Sequence, residues 1–332
     1  MHFTPGASAR PLRIVIPGGS GQVGGILAHY FQERGHHVTV LTRSPFAASW
    51  NTVHWDGEHL GPWTEHLEGS DVCINLAGRS VNCRYTPANR EAIYRSRIDT
   101  TQLLGDVIAG LADPPKVWLN ASTATIYRHA IDRPMDEFTG ELGGHELRTG
   151  QRRVPETWNF SIRVAKDWED AFFASITPRT RKVALRSAIV MSPMAGGPFA
   201  ILLSLVRFSL GGQQGDGRQF VSWIHALDFA RAVGFLIANE AFDGPVNLAS
   251  PNPIPNREFM AILREAWGMP NGISAPAPLL ELAAMFLRTE SELVLKSRNV
   301  IPARLLRAGF EFEFPTWREA AEDLVRQYRQ RD

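Results

Sequence analysis

The sequence is poor in cysteine, in tyrosine and in net charge, and it has no long apolar run. Only two cysteines occur in 332 residues, Cys73 and Cys83, with neither a CxxC pair nor a metal-ligand spacing. That excludes a disulfide framework and a cysteine-based zinc site. Cys73 is expected as a core residue of a buried strand. A formal net charge of +1 leaves no electrostatic footprint for nucleic acid. The longest apolar stretch, PFAILLSLV (Pro198–Val206), is too short for a bilayer and is followed by Arg207. The start, MHFTPGASARPLR, lacks the continuous apolar segment of a signal peptide. A cytoplasmic protein with no nucleic-acid or membrane partner is therefore expected. Of five tyrosines, none lies between Arg128 and Gln327, an absence that bears on the chemistry below.

What is present is enough apolar residue, 44% of the chain, for one large domain or two unequal ones. LRIVI (Leu12–Ile16) reads as a buried parallel strand, followed by glycines and a helical pattern, Val23–Arg34, that Gly35 stops. Further strands are expected at His37–Thr42, Val53–Trp55, Asp71–Ala77, Lys116–Ser122 and Lys182–Met191. Helices are expected over Pro87–Leu111 and around Lys166. Strands alternating with helices of this length imply right-handed crossovers, and hence an α/β fold with a doubly wound parallel sheet. From about Pro193 glycine clusters and short strands suggest a smaller C-terminal capping region. The expected division is residues 1–192 and 193–332, with about 219–250 returning to the first part. The polar stretch Arg128–Pro155 reads as a lid or substrate loop.

PGGSGQVGG places Gly18, Gly21 and Gly24 between the first strand and the first helix. The first glycine permits the tight turn, the second lets backbone approach a pyrophosphate, and the third lets the helix pack closely. The helix N-terminus adds partial positive charge. Glycine triplets are common in turns, but this one stands in the strand–turn–helix context that dinucleotide binding requires. The second strand ends Leu41-Thr42-Arg43-Ser44, with no acidic residue for ribose hydroxyls. Arg43 can pair a 2′-phosphate bidentately and Thr42 can add a hydroxyl, so NADP(H) is favoured; the alternative is a solvated loop arginine. Asp56 closes the third strand, where a carboxylate can meet an adenine amino group. Leu76-Ala77-Gly78 follows the fourth, a small-residue turn suited to pass a ribose. NASTATIY (Asn120–Tyr127) ends the fifth with Ser122, Thr123 and Tyr127, hydroxyls that can hydrogen-bond a substrate oxygen.

With these pieces the chain resembles an extended short-chain dehydrogenase/reductase, and within it the atypical epimerase-like branch related to NAD-dependent epimerase/dehydratases. GGSGQVGG, VTVLTR, INLAG and YRSRIDTTQLL carry the resemblance in the first half. GGQQGDGRQFVSWIHALDFARA, VNLASPNPIPNREF and VIPARLLRAGFEFEFP carry it in the second, the last resembling the small C-terminal domain of that branch. The resemblance implies a Rossmann-type domain with NADP(H) across the carboxyl ends of the strands. Gly18, Gly21, Gln22, Val23 and Gly24 would lie along the pyrophosphate, and Arg43 would take the 2′-phosphate. Leu76, Ala77 and Gly78 would flank the ribose, Thr123 would be the catalytic hydroxyl, and Ser192-Pro193 would sit near the nicotinamide. One departure is Pro17, where many relatives have threonine.

A second departure is chemical. Active members of the superfamily carry YxxxK on a helix, where positions i and i+4 share a face. The lysine ammonium stabilises the phenolate and so lowers the tyrosine pKa from about 10 toward neutrality. Here NFSIRVAKDWEDAF (Asn159–Phe172) places Ile162 four residues before Lys166. Registering on Trp168-Glu169 instead puts Ser161 and Ala165 at the two positions. Neither yields a tyrosine, and losing a general acid costs about 10²–10⁴ in rate. Three readings follow. A substitute acid exists, with Tyr127 ahead of His129 and His225, the last expected to be structural and paired with backbone or Asp228; or the chain is a non-catalytic NADPH-binding regulatory or redox-sensing module; or it is a nucleotide-sugar epimerase or dehydratase. A small molecule is the expected partner in each. A homodimer through the helices Pro87–Leu111 and Glu156–Phe173 is what the resemblance implies. The stripe Phe160, Val164, Trp168, Phe172 can serve that contact or face the sheet.

Overall fold

The computed structural model describes residues 10–144, 155–278 and 292–331. Its strands are β1 (Arg13–Pro17), β2 (His37–Thr42), β3 (Asn51–His54), β4 (Val72–Asn75), β5 (Val117–Thr123), β6 (Arg181–Ser187), β7 (Ile189–Met191), β8 (Phe220–Val221), β9 (Trp223–His225), β10 (Gly244–Leu248) and β11 (Ile254–Pro255). The helices are α1 (Gln22–Gln32), α2 (Pro87–Gly110), α3 (Glu156–Ala174), α4 (Pro198–Arg207), α5 (Ala226–Ala238), α6 (Asn256–Trp267), α7 (Glu292–Leu295), α8 (Ala303–Arg307) and α9 (Trp317–Arg329). Seven strands form one sheet in the order β10-β6-β5-β4-β1-β2-β3, every pair parallel. This is the doubly wound α/β architecture that the alternation implied.

Both faces of the sheet are covered, because alternate residues of each strand point to opposite sides. Ile14, Ile16, Val38, Val40 and Ile74 meet Leu27 and Phe31 of α1 and Phe229 and Val233 of α5. Val15, Leu41, Cys73 and Trp118 meet Leu104 and Ile108 of α2 and Phe172 of α3. Each such side chain, fully buried, contributes about 1.5–3 kcal/mol. The burial of Cys73 pushes its thiol pKa well up, as a core cysteine requires. The chain lays down β1, β2 and β3 outward in one direction, then returns to place β4 on the other side of β1. That reversal opens a crevice at the carboxyl ends of β1 and β4, where open α/β sheets bind ligands.

The apolar stripe of α3 is used inside the chain. Phe160, Val164, Trp168 and Phe172 are all buried, Phe160 and Val164 with Tyr85 and Ile93, Trp168 against Thr101 and Arg97 of α2, and Phe172 against the sheet. The expected single strand Lys182–Met191 is two strands in different sheets. Ala188 N still donates to Leu248 O at 2.9 Å, but β7 pairs with β9 and not with the large sheet. A two-sided apolar run encodes burial, and it does not encode which partner each half takes.

The later segments do two things. β10 completes the large sheet beside β6. α4, α6 and α9 enclose a second core around Trp223, Phe259 and Trp317. The rings of Phe259 and Trp317 stack at 3.9 Å and 11°, and Trp317 Nε1 donates to Phe259 O at 2.9 Å. A capping box between Thr316 and Glu319 starts α9. The described part of the expected loop, residues 128–144, is tied down by Arg128 pairing with Asp132 and Glu141; residues 145–154 of it lie outside the described residues. Among the described residues, no helix is long and apolar enough to cross a membrane.

Candidate functional site

The glycine turn is held where three strand ends meet. Gly18 has φ +72°, and a Cβ there would stand 2.5 Å from Ala77 Cα. Gly18 N donates to Leu41 O at 2.9 Å, and Leu76 N to Pro17 O at 2.8 Å. Only glycine meets both the dihedral and the contact. A Cβ on Gly24 would lie 2.2 Å from Gly19 O, so α1 packs directly on the turn. Gly21 is different: nothing lies within 4 Å of its Cβ position, and as the N-cap of α1 it provides no side-chain cap. The first amides of α1 thus have no side-chain cap from Gly21, an arrangement that can accept an anion. Gln22 Nε2 is buried without a hydrogen-bond partner among the described residues. It rests against Gly197, where a Cβ would stand 2.6 Å from it. Val23, the next residue, is half-buried in the first turn of α1. The same loop begins with Ser192 and Pro193, both buried, and Ser192 Oγ accepts from Met194 N at 3.3 Å. The turn after β1 and the loop after β7 therefore meet.

Arg43 is exposed beyond β2, and it makes no ion pair or side-chain hydrogen bond among the described residues. Thr42 is buried, its hydroxyl accepting weakly from Ser44 N at 3.4 Å. Asp56 is already engaged by its own turn. It accepts from Glu58 N at 2.8 Å, His59 N at 2.9 Å and His59 Nδ1 at 2.8 Å, and these bonds hold its carboxyl far below the usual range. The turn Leu76–Gly78 is fixed by Asn75, which accepts from Ala77 N at 3.0 Å and donates to Asn120 Oδ1 at 2.7 Å.

Thr123 ends β5 half-buried, its hydroxyl oxygen accepting from Thr125 N at 3.2 Å. Its own hydrogen has no acceptor among the described residues and can be donated. Tyr127 departs from the expected substrate-facing donor. It is 1% exposed; its hydroxyl donates to Asn247 Oδ1 and accepts from Arg186, both at 3.0 Å. Arg186 in turn chelates Glu169 at 2.8 and 2.7 Å, and Glu169 accepts from Ser122 at 2.5 Å. Burial pushes the phenol pKa above its ordinary value. The proton is committed to a core network, because the 310 turn after β5 folds the ring inward among Ala124, Ile126 and Ala188.

On α3, Lys166 Nζ donates to Gly143 O at 2.6 Å. Ile162 lies beside it, both 3.6 Å from the Cβ position of Gly144. Ala165 is buried with Ala124 and Ile126. His225 is buried and caps α5, accepting from Leu227 N at 3.1 Å. Of the two expected partners, backbone is the one it takes; its Nε2 meets Asp323 at 3.1 Å, while Asp228 serves Arg231, Glu313 N and Phe314 N. His129 stacks on Trp158 at 5.4 Å and accepts from Ser297 N.

A group that the sequence reading passed over gathers on the other side of α3. Ser161 Oγ lies 3.3 Å from Tyr85 Oη and donates to Glu292 at 2.6 Å. Arg298, buried, donates to Thr125 Oγ1 at 3.0 Å and lies 3.6 Å from Glu292. Lys296 donates to Thr125 O at 2.7 Å. Arg97 of α2 stands against Gly78. The signal available in the sequence was charge inside otherwise apolar segments, YRSRI and VLKSRNV.

A glycine turn at the switch point of a seven-stranded parallel sheet, with an uncapped helix N-terminus behind it, is the Rossmann-type dinucleotide-binding arrangement. Comparison with known proteins narrows this. The NAD dependent epimerase/dehydratase family pattern matches residues 14–146, and a domain of unknown function, DUF1731, matches residues 275–324. An epimerase family protein of Staphylococcus epidermidis is 31% identical over 95% of this chain and 99% of its own length. The chain belongs to this epimerase family. The solved human epimerase family protein SDR39U1 (isoform 2), with NADPH, gives a TM-score of 0.81 at 27% identity, covering 95% of this chain and 99% of that one. A nucleoside-diphosphate sugar epimerase from Corynebacterium glutamicum gives 0.73 at 26%, covering 96% and 59%. The residues present fit a phosphorylated dinucleotide, on the unpartnered Gln22 Nε2 and the open first turn of α1.

Proposed function

We propose that the chain binds NADPH in the β1–β4 crevice and acts as an oxidoreductase on a small-molecule carbonyl or alcohol. The observation that carries this is the uncapped first turn of α1 behind Gly18 and Gly21, with Arg43 exposed beyond β2 and unpaired among the described residues. The human relative solved with NADPH supports the choice of cofactor. The amides of α1 and Gln22 hold the pyrophosphate, Arg43 holds the 2′-phosphate, and Leu76–Gly78 with Ser192-Pro193 line the path of the riboside and nicotinamide. The cofactor, when bound, would supply a hydride to a carbonyl as NADPH or take one from an alcohol as NADP+. Thr123 donates its free hydroxyl hydrogen to the substrate oxygen as charge develops there. Lys166 holds the backbone at Gly143 through its bond to Gly143 O. Tyr127 is structural.

A second reading, a non-catalytic NADPH-binding module, is favoured by one observation: no tyrosine stands on α3, and the Tyr127 proton is committed to Asn247. Nucleotide-sugar epimerisation, the activity named for the Corynebacterium glutamicum protein, ranks third, since that chemistry leans on the same missing tyrosine. The first two separate by mixing the protein with NADPH and panels of ketones, aldehydes and nucleotide sugars, and following the reduced-nicotinamide absorbance. Oxidation by any member supports the oxidoreductase. Saturable binding without oxidation by any member sinks it in favour of the module.

A further inference from the structure

The guanidinium of Arg97 lies next to the turn after β4 and has no counter-ion among the described residues. It projects from α2 between two aromatic and backbone surfaces. A Cβ on Gly78 would stand 3.2 Å from its Cζ and 3.3 Å from a terminal nitrogen. Its Cζ lies 5.1 Å over the Trp168 ring of α3. One of its five N–H groups is satisfied by the Ile93 carbonyl at 3.0 Å, and no carboxylate is within ion-pair distance among the described residues. Arg97 is half-buried, and that burial lowers its pKa to about 10. A partly desolvated guanidinium gains from an anion placed beside it.

Its surroundings are those of a substrate side rather than a cofactor side. The turn after β4 is divided: Ala77 backs onto Gly18, the pyrophosphate turn, whereas Gly78 backs onto Arg97. Tyr85, from the loop before α2, is within electrostatic reach of both Arg97 and Arg298. Arg298 sits on Thr125, two residues beyond Thr123. A chain of polar contacts thus runs from Tyr85 through Ser161, Glu292 and Arg298 to Thr125, whose amide bonds the Thr123 hydroxyl.

We propose that Arg97 is the recognition point for an anionic group of the substrate, a carboxylate or a phosphate, bound in front of Gly78. The inference rests on the cofactor reading above and names the substrate class for it: a small organic acid or a phosphorylated compound whose carbonyl or alcohol carbon reaches the nicotinamide. A guanidinium fork takes either anion bidentately, which an ammonium cannot do.

The test uses the full-length protein saturated with NADPH, titrated calorimetrically with malonate, dimethyl malonate, inorganic pyrophosphate and UDP at fixed ionic strength. Malonate or a phosphate probe binding, with dimethyl malonate silent, is the expected result, and the binding arm tells carboxylate from phosphate. Arg97→Gln is expected to weaken that binding by about 10–100-fold, the loss of a charge-assisted pair, with NADPH affinity within twofold of wild type. Arg97→Lys, which keeps the charge and the fold, is expected to be intermediate and stands in should the glutamine variant not fold. Equal probe affinity in both variants, or no probe bound by the NADPH-loaded wild type, overturns the proposal. So does a parallel loss of NADPH affinity, which would make the partner of Arg97 a cofactor phosphate. Failure of the wild type to bind NADPH at all would instead sink the cofactor reading.

Discussion

Replacing Tyr127 with phenylalanine separates a structural tyrosine from a catalytic one. The substitution removes one hydroxyl from a site that is 1% exposed and leaves two groups without their partner. Asn247 Oδ1 loses its donor, although Asn247 Nδ2 keeps Ile301 O at 3.0 Å. Arg186 loses one bond but keeps both contacts to Glu169, so its charge remains paired. Each stranded polar group costs about 1–3 kcal/mol, offset in part because the phenol itself no longer has to be desolvated. The net expectation is a loss of about 2 kcal/mol. At about 2–4 °C per kcal/mol for chains of 150–250 residues, that is a fall in Tm of roughly 4–8 °C, toward the low end at this length. Differential scanning calorimetry reads the shift, and a fluorescence titration reads NADPH affinity, expected unchanged. A melting temperature equal to wild type, joined to loss of NADPH oxidation by a substrate found in the panel, would refute the structural assignment.

Removing Arg186 is a harsher perturbation of the same network: Arg186→Met leaves Glu169 buried and unpaired, and a loss of about 3–5 kcal/mol is expected by chemical denaturation. Gly18→Ala forces a Cβ into Ala77 at a left-handed dihedral; NADPH binding should be lost and stability should fall by more than the about 1–2 kcal/mol of the dihedral alone. His225 carries a pH signature. Burial lowers its pKa below 6.5, and the Leu227 amide, donating to Nδ1, opposes a second ring proton. The unfolded chain therefore binds the proton first, so stability is full above about pH 6.5 and declines as pH falls from there toward the lower folded value. In His225→Asn, denaturant midpoints should show a smaller decline between pH 7 and 5 than in wild type.

How much of this was legible in the sequence follows from the range of the interactions. The glycine turn, the parallel sheet and its order of elements were readable, because turn sterics, helix starts and apolar alternation act over a few neighbouring residues. Even there the run Lys182–Met191 split between two sheets, since both halves are equally apolar and only the distant β9 distinguishes them. The side-chain networks were not readable. Tyr127 meets Asn247 across 120 residues and His225 meets Asp323 across 98, and nothing local marks either pair. The absence of a tyrosine on α3 was plain, whereas Tyr85 arriving beside Ser161 from the loop before α2 depended on how α2 and α3 pack. Nothing local marked Arg97, whose place between Gly78 and Trp168 depends on how α2 packs on the turn after β4 and on α3.

The central claim is that the crevice at β1 and β4 is a complete NADPH site. Calorimetric titration of wild type and Arg43→Ala with NADPH and NADH, at low and high salt, tests it most directly. The account predicts that wild type binds NADPH tighter than NADH, and that Arg43→Ala loses about 10–100-fold for NADPH alone, less at high salt. Equal affinity of wild type for the two cofactors, or an Arg43→Ala variant that binds NADPH as wild type does, would contradict it.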